Sequence, residues 1–156
     1  MNEERKGRLE LYFIVAILVV LLGSAAANYA MIVANPNSVP SDTQPIPAGS
    51  YVVRVIATQW TWSFEYPNNT TSVGTFTVPV NTNITLVATS VAGAQGSAVI
   101  HDLLIPQMDV QIYAVPGQNN TVTFEPTHTG SYYFECVEYC GEFHYEMRGY
   151  MEVVSR

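Results

Sequence analysis

The feature that most constrains this 156-residue chain is a long apolar segment near its amino terminus. Residues 11–27 form an unbroken run of apolar or small side chains, and residues 29–34 extend it past Asn28. A helix of about 20 apolar residues crosses a hydrocarbon core of about 30 Å. Because lipid offers no hydrogen-bond partners to backbone groups, such a segment must be helical in the membrane. The sequence therefore predicts a transmembrane helix over residues 11–34.

Basic residues predict the orientation of that helix. Arg5, Lys6 and Arg8 precede the span, and the next basic residue is Arg54. The positive-inside rule then places residues 1–10 in the cytoplasm and everything after the span outside, as a single-pass protein of the cell membrane. Residues 25–27, three consecutive alanines, also fit a signal-peptidase site, so a cleaved signal peptide is the alternative.

The net negative charge lies in the part of the chain after the span. Residues 1–34 hold three basic and three acidic side chains, so the remainder, with three basic and ten acidic, carries the whole net charge of −7. This acidic balance argues against nucleic acid as a partner. It is compatible with a basic redox partner and equally with simple solubility. Four Asn-x-Ser/Thr sequons predict a glycosylated outer surface: Asn68, Asn69, Asn83 and Asn119.

Proline and β-forming residues predict how the outer part is organised. Residues 35–50 contain four prolines and should form a semi-extended linker. From residue 51 to residue 156 the chain is rich in Val, Ile, Thr, Tyr and Phe, broken by Pro, Asn and Gly, which is typical of an all-β sandwich or barrel without a helix of normal length. The predicted strands are 52–66 (one bent strand), 75–80, 84–89, 99–105, 110–114, 121–124, 130–135 and 149–154.

Four soft or borderline metal ligands lie within twelve residues near the carboxyl end. Cys136, Cys140, His144 and Met147 supply two thiols, an imidazole and a thioether, and His101 lies upstream. Thiolate, thioether and imidazole together favour copper, since zinc has little use for a thioether. A mononuclear blue-copper site needs only one cysteine, so the second thiol indicates a second copper bridged by both sulfurs.

Three other interpretations of the cysteines stay open at this point. A disulfide is possible because the domain is predicted to lie outside the cytoplasm. Two cysteines and two histidines could hold a structural zinc, although the spacing lacks the short paired turns of common zinc modules. A cysteine–histidine catalytic pair would leave the second thiol and the thioether unexplained.

The motif Cys-x-Glu-x-Cys-Gly-x-x-His-x-x-Met over residues 136–147, after Val-Ile-His at 99–101, resembles the dinuclear copper A centre of cytochrome c oxidase subunit II. Residues 59–66, Gln-Trp-Thr-Trp-Ser-Phe-Glu-Tyr, are similar to the tryptophan-rich segment of that family, and Val-Pro-Gly at 115–117 also matches. The resemblance implies a cupredoxin-like Greek-key fold. With a single predicted helix, the chain departs from the commoner two-helix form of this family and resembles the shorter form found in B-type haem-copper oxidases.

The resemblance also implies roles for individual residues. Cys136 and Cys140 would bridge two coppers, with His101 and Met147 completing one metal. His144 and the backbone carbonyl of Glu138 would complete the other. The Glu138 carboxylate would bind magnesium at the boundary with subunit I. The family further points to Trp60 as the exposed aromatic at which an electron enters.

The function implied is that of subunit II of a terminal oxidase. Such a subunit takes electrons from an external cytochrome c or small blue-copper protein and passes them to haem in subunit I, where oxygen is reduced to water. The enzyme is thus a proton-translocating oxidoreductase of which this chain is the relay, assembled with subunit I and other membrane subunits. The rivals are the electron-transfer subunit of a nitric oxide reductase and a membrane-anchored copper carrier. A quinol-oxidising relative would lack the ligands, and the chain is too short for a complete nitrous oxide reductase.

Overall fold

A computed structural model describes residues 3–34, 45–94 and 96–155. The first of these ranges is one helix, Glu3–Ala34. It begins eight residues before the predicted span, because residues 3–10 are mostly good helix formers. Within the described ranges it is the one helix long and apolar enough to cross a membrane. Most of the predicted linker, residues 35–44, lies outside the described residues.

The described residues from 45 onward form ten strands. They are β1 Tyr51–Thr58, β2 Thr61–Glu65, β3 Thr71–Val73, β4 Thr75–Pro79, β5 Ile84–Ser90, β6 His101–Ile105, β7 Val110–Ala114, β8 Asn120–Phe124, β9 Gly130–Cys136 and β10 Arg148–Val154. Among the described residues after 45, the remaining helical structure is two single turns of 3₁₀ helix, Pro106–Met108 and His144–Glu146. The predicted all-β domain is confirmed.

The strands form two five-stranded mixed sheets. The first sheet has the order β3-β2-β1-β5-β8 and the second has the order β4-β10-β9-β6-β7. Most neighbours are antiparallel, but β1 runs parallel to β5 and β10 runs parallel to β4. These two parallel pairs join strands that are distant in sequence and so fix the long-range topology of the domain.

A shared apolar core lies between the inner faces of the sheets. Along β1, Val53, Val55 and Ala57 are fully buried, as the period of two in a strand requires. An aromatic group from three strands anchors the centre: Phe64 stacks on Phe76 with ring centroids 4.4 Å apart, and Phe134 packs edge-on against Phe64 at 5.6 Å. Burial of this apolar surface is the main force that holds the two sheets together.

The prediction of one bent strand over residues 52–66 is wrong. The chain reverses at Gln59 and Trp60, and β1 pairs with β2 as a tight antiparallel hairpin that closes on the pair Thr58 and Thr61. Trp62 and Phe64 face the core, whereas Trp60 lies in the turn. The turn contains no Gly, Pro, Asn or Asp, so the sequence carries none of the usual signals of a reversal. The short strand β3 was also not predicted.

Candidate metal centre

The motif 136–147 is a loop whose two ends are held opposite each other. Cys136 is the last residue of β9, and Met147 directly precedes β10. The Cys136 backbone N–H donates to the Met147 carbonyl at 2.9 Å, which extends the ladder between these antiparallel strands. The N–H of Val137 donates to the carbonyl of Asp102 at 2.9 Å, so the loop is also tied to β6 beside His101.

The loop brings the two thiols together without joining them. The Sγ atoms of Cys136 and Cys140 lie 4.0 Å apart, and both cysteines are free and buried. A disulfide bond is about 2.05 Å long, so the structure does not contain the disulfide considered above. A metal that forms sulfur bonds of about 2.3 Å, the length known for zinc thiolates, would fit between the two sulfurs.

The other predicted donors surround this pair of sulfurs. His101 Nδ1 lies 3.9 Å from Cys136 Sγ, and the carbonyl oxygen of Glu138 lies 3.3 Å from the same sulfur. His144 Nδ1 lies 3.3 Å and Met147 Sδ 3.7 Å from Cys140 Sγ. The predicted metal residues are therefore brought together at one end of the sandwich, with one nitrogen and one weak donor near each thiol.

Every metal-donor residue belongs to the second sheet or its loops. His101 begins β6, Cys136 ends β9, and Met147 leads into β10, and these three strands are adjacent. Rigid neighbouring strands thus fix the first and last donors, while the loop supplies the remaining directions. This arrangement explains how His101, 35 residues before Cys136, reaches the same site.

Burial suppresses the positive charge of the first imidazole. His101 is fully buried, and its Nε2 has no hydrogen-bond partner among the described residues. Burial, and to a smaller extent the neighbouring His144 imidazole, lowers the pKa of His101 to about 4. At neutral pH the ring is uncharged and offers a nitrogen lone pair, which is the form that binds a metal.

Burial has the opposite effect on the thiols. It raises the pKa of Cys140 to about 12, and the nearby Cys136 thiol contributes to the shift. Burial likewise raises the pKa of Cys136. Without metal both groups are therefore protonated and poor nucleophiles at neutral pH, which argues against cysteine catalysis. A cation between the sulfurs would favour the deprotonated form of both groups and bind them as thiolates.

This donor set fits copper better than zinc. Zinc would be complete with the two thiols and two imidazoles, leaving the thioether of Met147 and the carbonyl of Glu138 without a role. Copper accepts sulfur donors of both kinds and weak axial ligands. If both thiols bridged two metals, the four remaining donors would divide evenly between them.

The hairpin of the first sheet touches the centre from the side. In its turn, Trp60 Nε1 donates to the Cys140 carbonyl oxygen at 3.2 Å, and Gln59 Nε2 donates to the same oxygen at 2.6 Å. Trp60 is partly buried and packs edge-on against Phe143 of the loop, with ring centroids 4.8 Å apart. Further along the hairpin, the Trp62 indole donates to the Met147 carbonyl at 3.3 Å.

Gly141 makes the approach of the turn possible. Its φ is +121°, a conformation that glycine adopts readily. A Cβ atom here would lie 3.0 Å from Gln59 Nε2 and 3.1 Å from Trp60 Nε1. The glycine that follows Cys140 in the motif is thus required for both contacts with the hairpin.

Two acidic residues flank the centre in different environments. The Glu138 side chain is exposed, whereas Asp102 on β6 is almost fully buried. The Asp102 carboxylate accepts a hydrogen bond from Gln111 Nε2. Burial raises the pKa of Asp102, against the opposing effect of that hydrogen bond. The sequence analysis missed Asp102 and Gln59; an acidic residue directly after a ligand in an apolar strand was a usable signal for the first, and nothing marked the second.

The third histidine and two further methionines make other contacts. His128 is exposed and its Nδ1 is 2.9 Å from the Thr127 hydroxyl, Met108 packs at the edge of the core, and Met151 is buried within it. The sequons Asn68, Asn69, Asn83 and Asn119 are exposed, and their glycosylation stays a prediction.

Comparison with known proteins gives consistent matches. The model of the family "Cytochrome C oxidase subunit II, periplasmic domain" matches residues 72–154, more than half of the chain. Cytochrome c oxidase subunit 2 of Albinaria turrita is 32% identical over 126 residues, covering 67% of this chain and 54% of that protein. The chain spans about half to three fifths of the length of the curated relatives it matches.

Solved structures match the fold as well. The periplasmic domain of subunit II of cytochrome oxidase from Bradyrhizobium japonicum is 28% identical, with a TM-score of 0.63 over 70% of this chain and 88% of that one. A heme-copper terminal oxidase dimer contains a chain that is 18% identical, with a TM-score of 0.64 over 94% of this chain and 99% of that one. The second likeness shows a shared fold only. Together the neighbours confirm the cupredoxin-like fold expected from the sequence.

Proposed function

This chain belongs to the cytochrome c oxidase subunit II family, and we propose that it is the electron-accepting subunit of a haem-copper terminal oxidase. In this role it takes electrons from an external donor and delivers them to haem in subunit I, where oxygen is reduced. The observation that carries the proposal is the cluster of six donors around two unjoined, buried thiols. The family and the single apolar helix fit a single-pass membrane protein.

The cofactor is a dinuclear copper centre. Cys136 and Cys140 would bridge the metals, His101 and Met147 would complete one, and His144 with the Glu138 carbonyl would complete the other. When bound, this group supplies a one-electron redox couple. The protein's contribution is rigidity: both ends of the ligand loop are tied to strands, so the donors keep their positions when the charge of the site changes.

The described contacts support Trp60 as the point of electron entry. Its indole is partly buried, so one part remains available to a donor while Nε1 reaches the carbonyl of a ligand residue. Around it the loop presents the exposed side chains of Phe143, Tyr145 and Tyr139. Three exposed glutamates, Glu138, Glu142 and Glu146, interleave with these aromatics. An apolar surface with acidic neighbours suits a basic donor such as cytochrome c; a small blue-copper protein is the other candidate.

The orientation and the remaining partners follow from the same proposal. By the positive-inside rule, the basic residues before the helix support a cytoplasmic amino terminus and a copper domain on the outer side. Subunit I and other membrane subunits would contact the domain. The exposed Glu138 carboxylate is free to bind magnesium at the boundary with subunit I.

Burial of the donors argues against the copper-carrier alternative. A carrier must release its metal, which requires exposed and exchangeable ligands. Here His101, Cys136, Cys140 and Met147 are all buried. The nitric oxide reductase alternative has the same metal site and is separated from the oxidase by the catalytic partner that copurifies with this chain.

Spectroscopy of the full chain in detergent, loaded with copper, tests the proposal. Electron paramagnetic resonance should show one unpaired electron shared evenly by two copper nuclei, with a purple visible spectrum. The variant His144→Asn should lose this signal, and the matched control His128→Asn should keep it. A signal from a single copper nucleus, or no stable copper, would contradict the proposal.

A further inference from the structure

Two side-chain donors from one turn converge on a single oxygen atom. The carbonyl oxygen of Cys140 accepts hydrogen bonds from Gln59 Nε2 at 2.6 Å and from Trp60 Nε1 at 3.2 Å. A carbonyl oxygen has two lone pairs, so the two bonds together satisfy it. Both donors lie about 80 residues before Cys140, and their contacts therefore depend on the folded domain.

The hydrogen bond from Gln59 orients the Cys140–Gly141 peptide group more strongly than the bond from Trp60 does. The bond from Gln59 is the shorter, and no hydrogen bond joins this side chain to a sulfur or imidazole among the described residues. Gln59 thus makes the shorter of the two bonds and fixes the direction of the Cys140 carbonyl.

That direction determines whether the indole can reach its acceptor. The Trp60 bond of 3.2 Å is near the long end of the normal range for N–H···O bonds. A modest rotation of the Cys140–Gly141 peptide would break it, and Gly141 itself offers little resistance to rotation because it lacks a side chain. The packing of Trp60 on Phe143 holds the ring but not the peptide.

We propose that Gln59 is a positioning residue for electron entry: its amide holds the Cys140 carbonyl against the Trp60 indole. The electron from the donor then passes from the Trp60 indole across its hydrogen bond to the Cys140 carbonyl. From there it follows the covalent bonds through Cα and Cβ of Cys140 to the sulfur. The donor loses one electron, the metal site gains it, and no covalent bond or proton changes place. This inference rests on the proposed role of Trp60.

The test compares Gln59→Leu with Gln107→Leu. Leucine is close in size to glutamine and cannot donate, and Gln107 is an exposed glutamine in the 3₁₀ turn Pro106–Met108, away from the donors. The first readout is the indole N–H signal in the NMR spectrum of the metal-free full chain. The chain has two tryptophans, so Trp62 serves as an internal reference. In Gln59→Leu the Trp60 signal should shift and exchange faster with solvent, while the Trp62 signal stays in place.

The second readout is electron entry into the copper-loaded chain, with reduced cytochrome c as the probe. Entry should slow several-fold in Gln59→Leu with an unchanged copper spectrum, and it should be normal in Gln107→Leu. An unmoved Trp60 signal, or normal entry despite a moved signal, would overturn the inference. If Trp60→Phe itself leaves entry normal, the proposed entry point is wrong instead, and the two failures are distinguished. Should Gln59→Leu disturb Trp62 as well, Gln59→Asn, which keeps the amide but shortens its reach, is judged by the same readouts.

Discussion

The sulfur atoms of Cys136 and Cys140 lie 4.0 Å apart, buried and unbonded, although only three residues separate them in the chain. Hydrogen bonds at the ends of the loop and within it maintain this distance: Cys136 donates to Met147, and the carbonyl of Cys140 accepts from the hairpin. The spacing suits two sulfurs shared by metals rather than a disulfide.

Replacing the entry aromatic should separate electron transfer from metal binding. Trp60→Phe keeps an aromatic ring against Phe143 but removes the N–H that reaches the Cys140 carbonyl. Oxidation of reduced cytochrome c should slow at least severalfold, measured by stopped flow on the copper-loaded chain, with an unchanged copper spectrum. Tyr150→Phe, an exposed aromatic on β10, is the control and should transfer electrons at the wild-type rate. Equal rates in the two variants would refute the assignment.

Removing the thioether should change the reduction potential but not the nuclearity. Met147→Leu keeps the buried volume, removes a weak axial donor and leaves an apolar side chain beside the metal, which disfavours the more highly charged oxidised state. The potential should rise, as measured by spectroelectrochemistry, while the two-copper resonance pattern persists. The matched variant is Met151→Leu, a buried core methionine on β10, which should leave the potential unchanged. A Met147→Leu potential equal to that of wild type would exclude the thioether as a ligand.

Gly141→Ala should destabilise the domain more than a glycine replacement in open space. The new Cβ would combine an unfavourable φ with contacts of 3.0–3.1 Å to Gln59 and Trp60. We expect a loss of about 2–3 kcal/mol in the free energy of unfolding. Gly117→Ala is the control, since its φ is +76° but nothing lies within 4 Å of its Cβ position, and it should lose only about 1 kcal/mol. Chemical denaturation of the metal-free chains in detergent measures both; equal losses would show that the contacts with the hairpin are unimportant.

His101 should make the metal-free domain less stable in acid. Its pKa is about 4 in the folded protein and about 6.5 in the unfolded chain, so between these values the unfolded state binds more protons. Its contribution to stability is therefore complete above pH 6.5 and is lost as the pH falls toward 4, at a slope of roughly 1 kcal/mol per pH unit.

The neighbouring Asp102 acts in the opposite direction, because burial raises its pKa and the folded state then retains its proton more readily. A variant comparison isolates the histidine. Denaturation between pH 4 and pH 7 should show a shallower loss of stability in metal-free His101→Asn than in wild type, whereas His128→Asn should follow wild type. Parallel curves for all three chains would contradict the burial effect.

Copper uptake should release protons from the thiols. Burial raises the pKa of both Cys136 and Cys140, so both are protonated in the metal-free domain near pH 7 and must lose their protons to bridge metals. The imidazole of His101 is already neutral there and adds no proton. Titration calorimetry in buffers of different ionisation enthalpy should report release of about two protons per chain. Release near zero would mean that the thiols do not bind as thiolates.

The metal donors could be predicted from the sequence because they are local. Cys136, Cys140, His144 and Met147 lie in one short segment, and the chemistry of that set limits the metal to a few choices. The helix could likewise be predicted from the sequence, since a long apolar run leaves few alternative structures. The backbone carbonyl of Glu138 required a match to a known family.

Contacts between distant segments could not be predicted in this way. The reversal at Gln59 and Trp60 continues an alternating β-pattern without a turn residue, so periodicity alone reads it as one strand. The parallel pairings of β1 with β5 and β4 with β10 depend on how the whole domain closes. The hydrogen bonds from Gln59 to Cys140 and from Gln111 to Asp102 exist only after that closure.

The division of the centre between the sheets has an evolutionary consequence. All proposed metal donors belong to the second sheet and its loops, while the first sheet contributes a hairpin whose side chains donate hydrogen bonds to backbone carbonyls of Cys140 and Met147. Substitutions in residues 59 and 60 can therefore alter the surface offered to a redox partner without removing any metal ligand. If the electron donor changed during evolution, substitutions in this one turn could adapt the surface to the new donor while the ligand residues stayed the same.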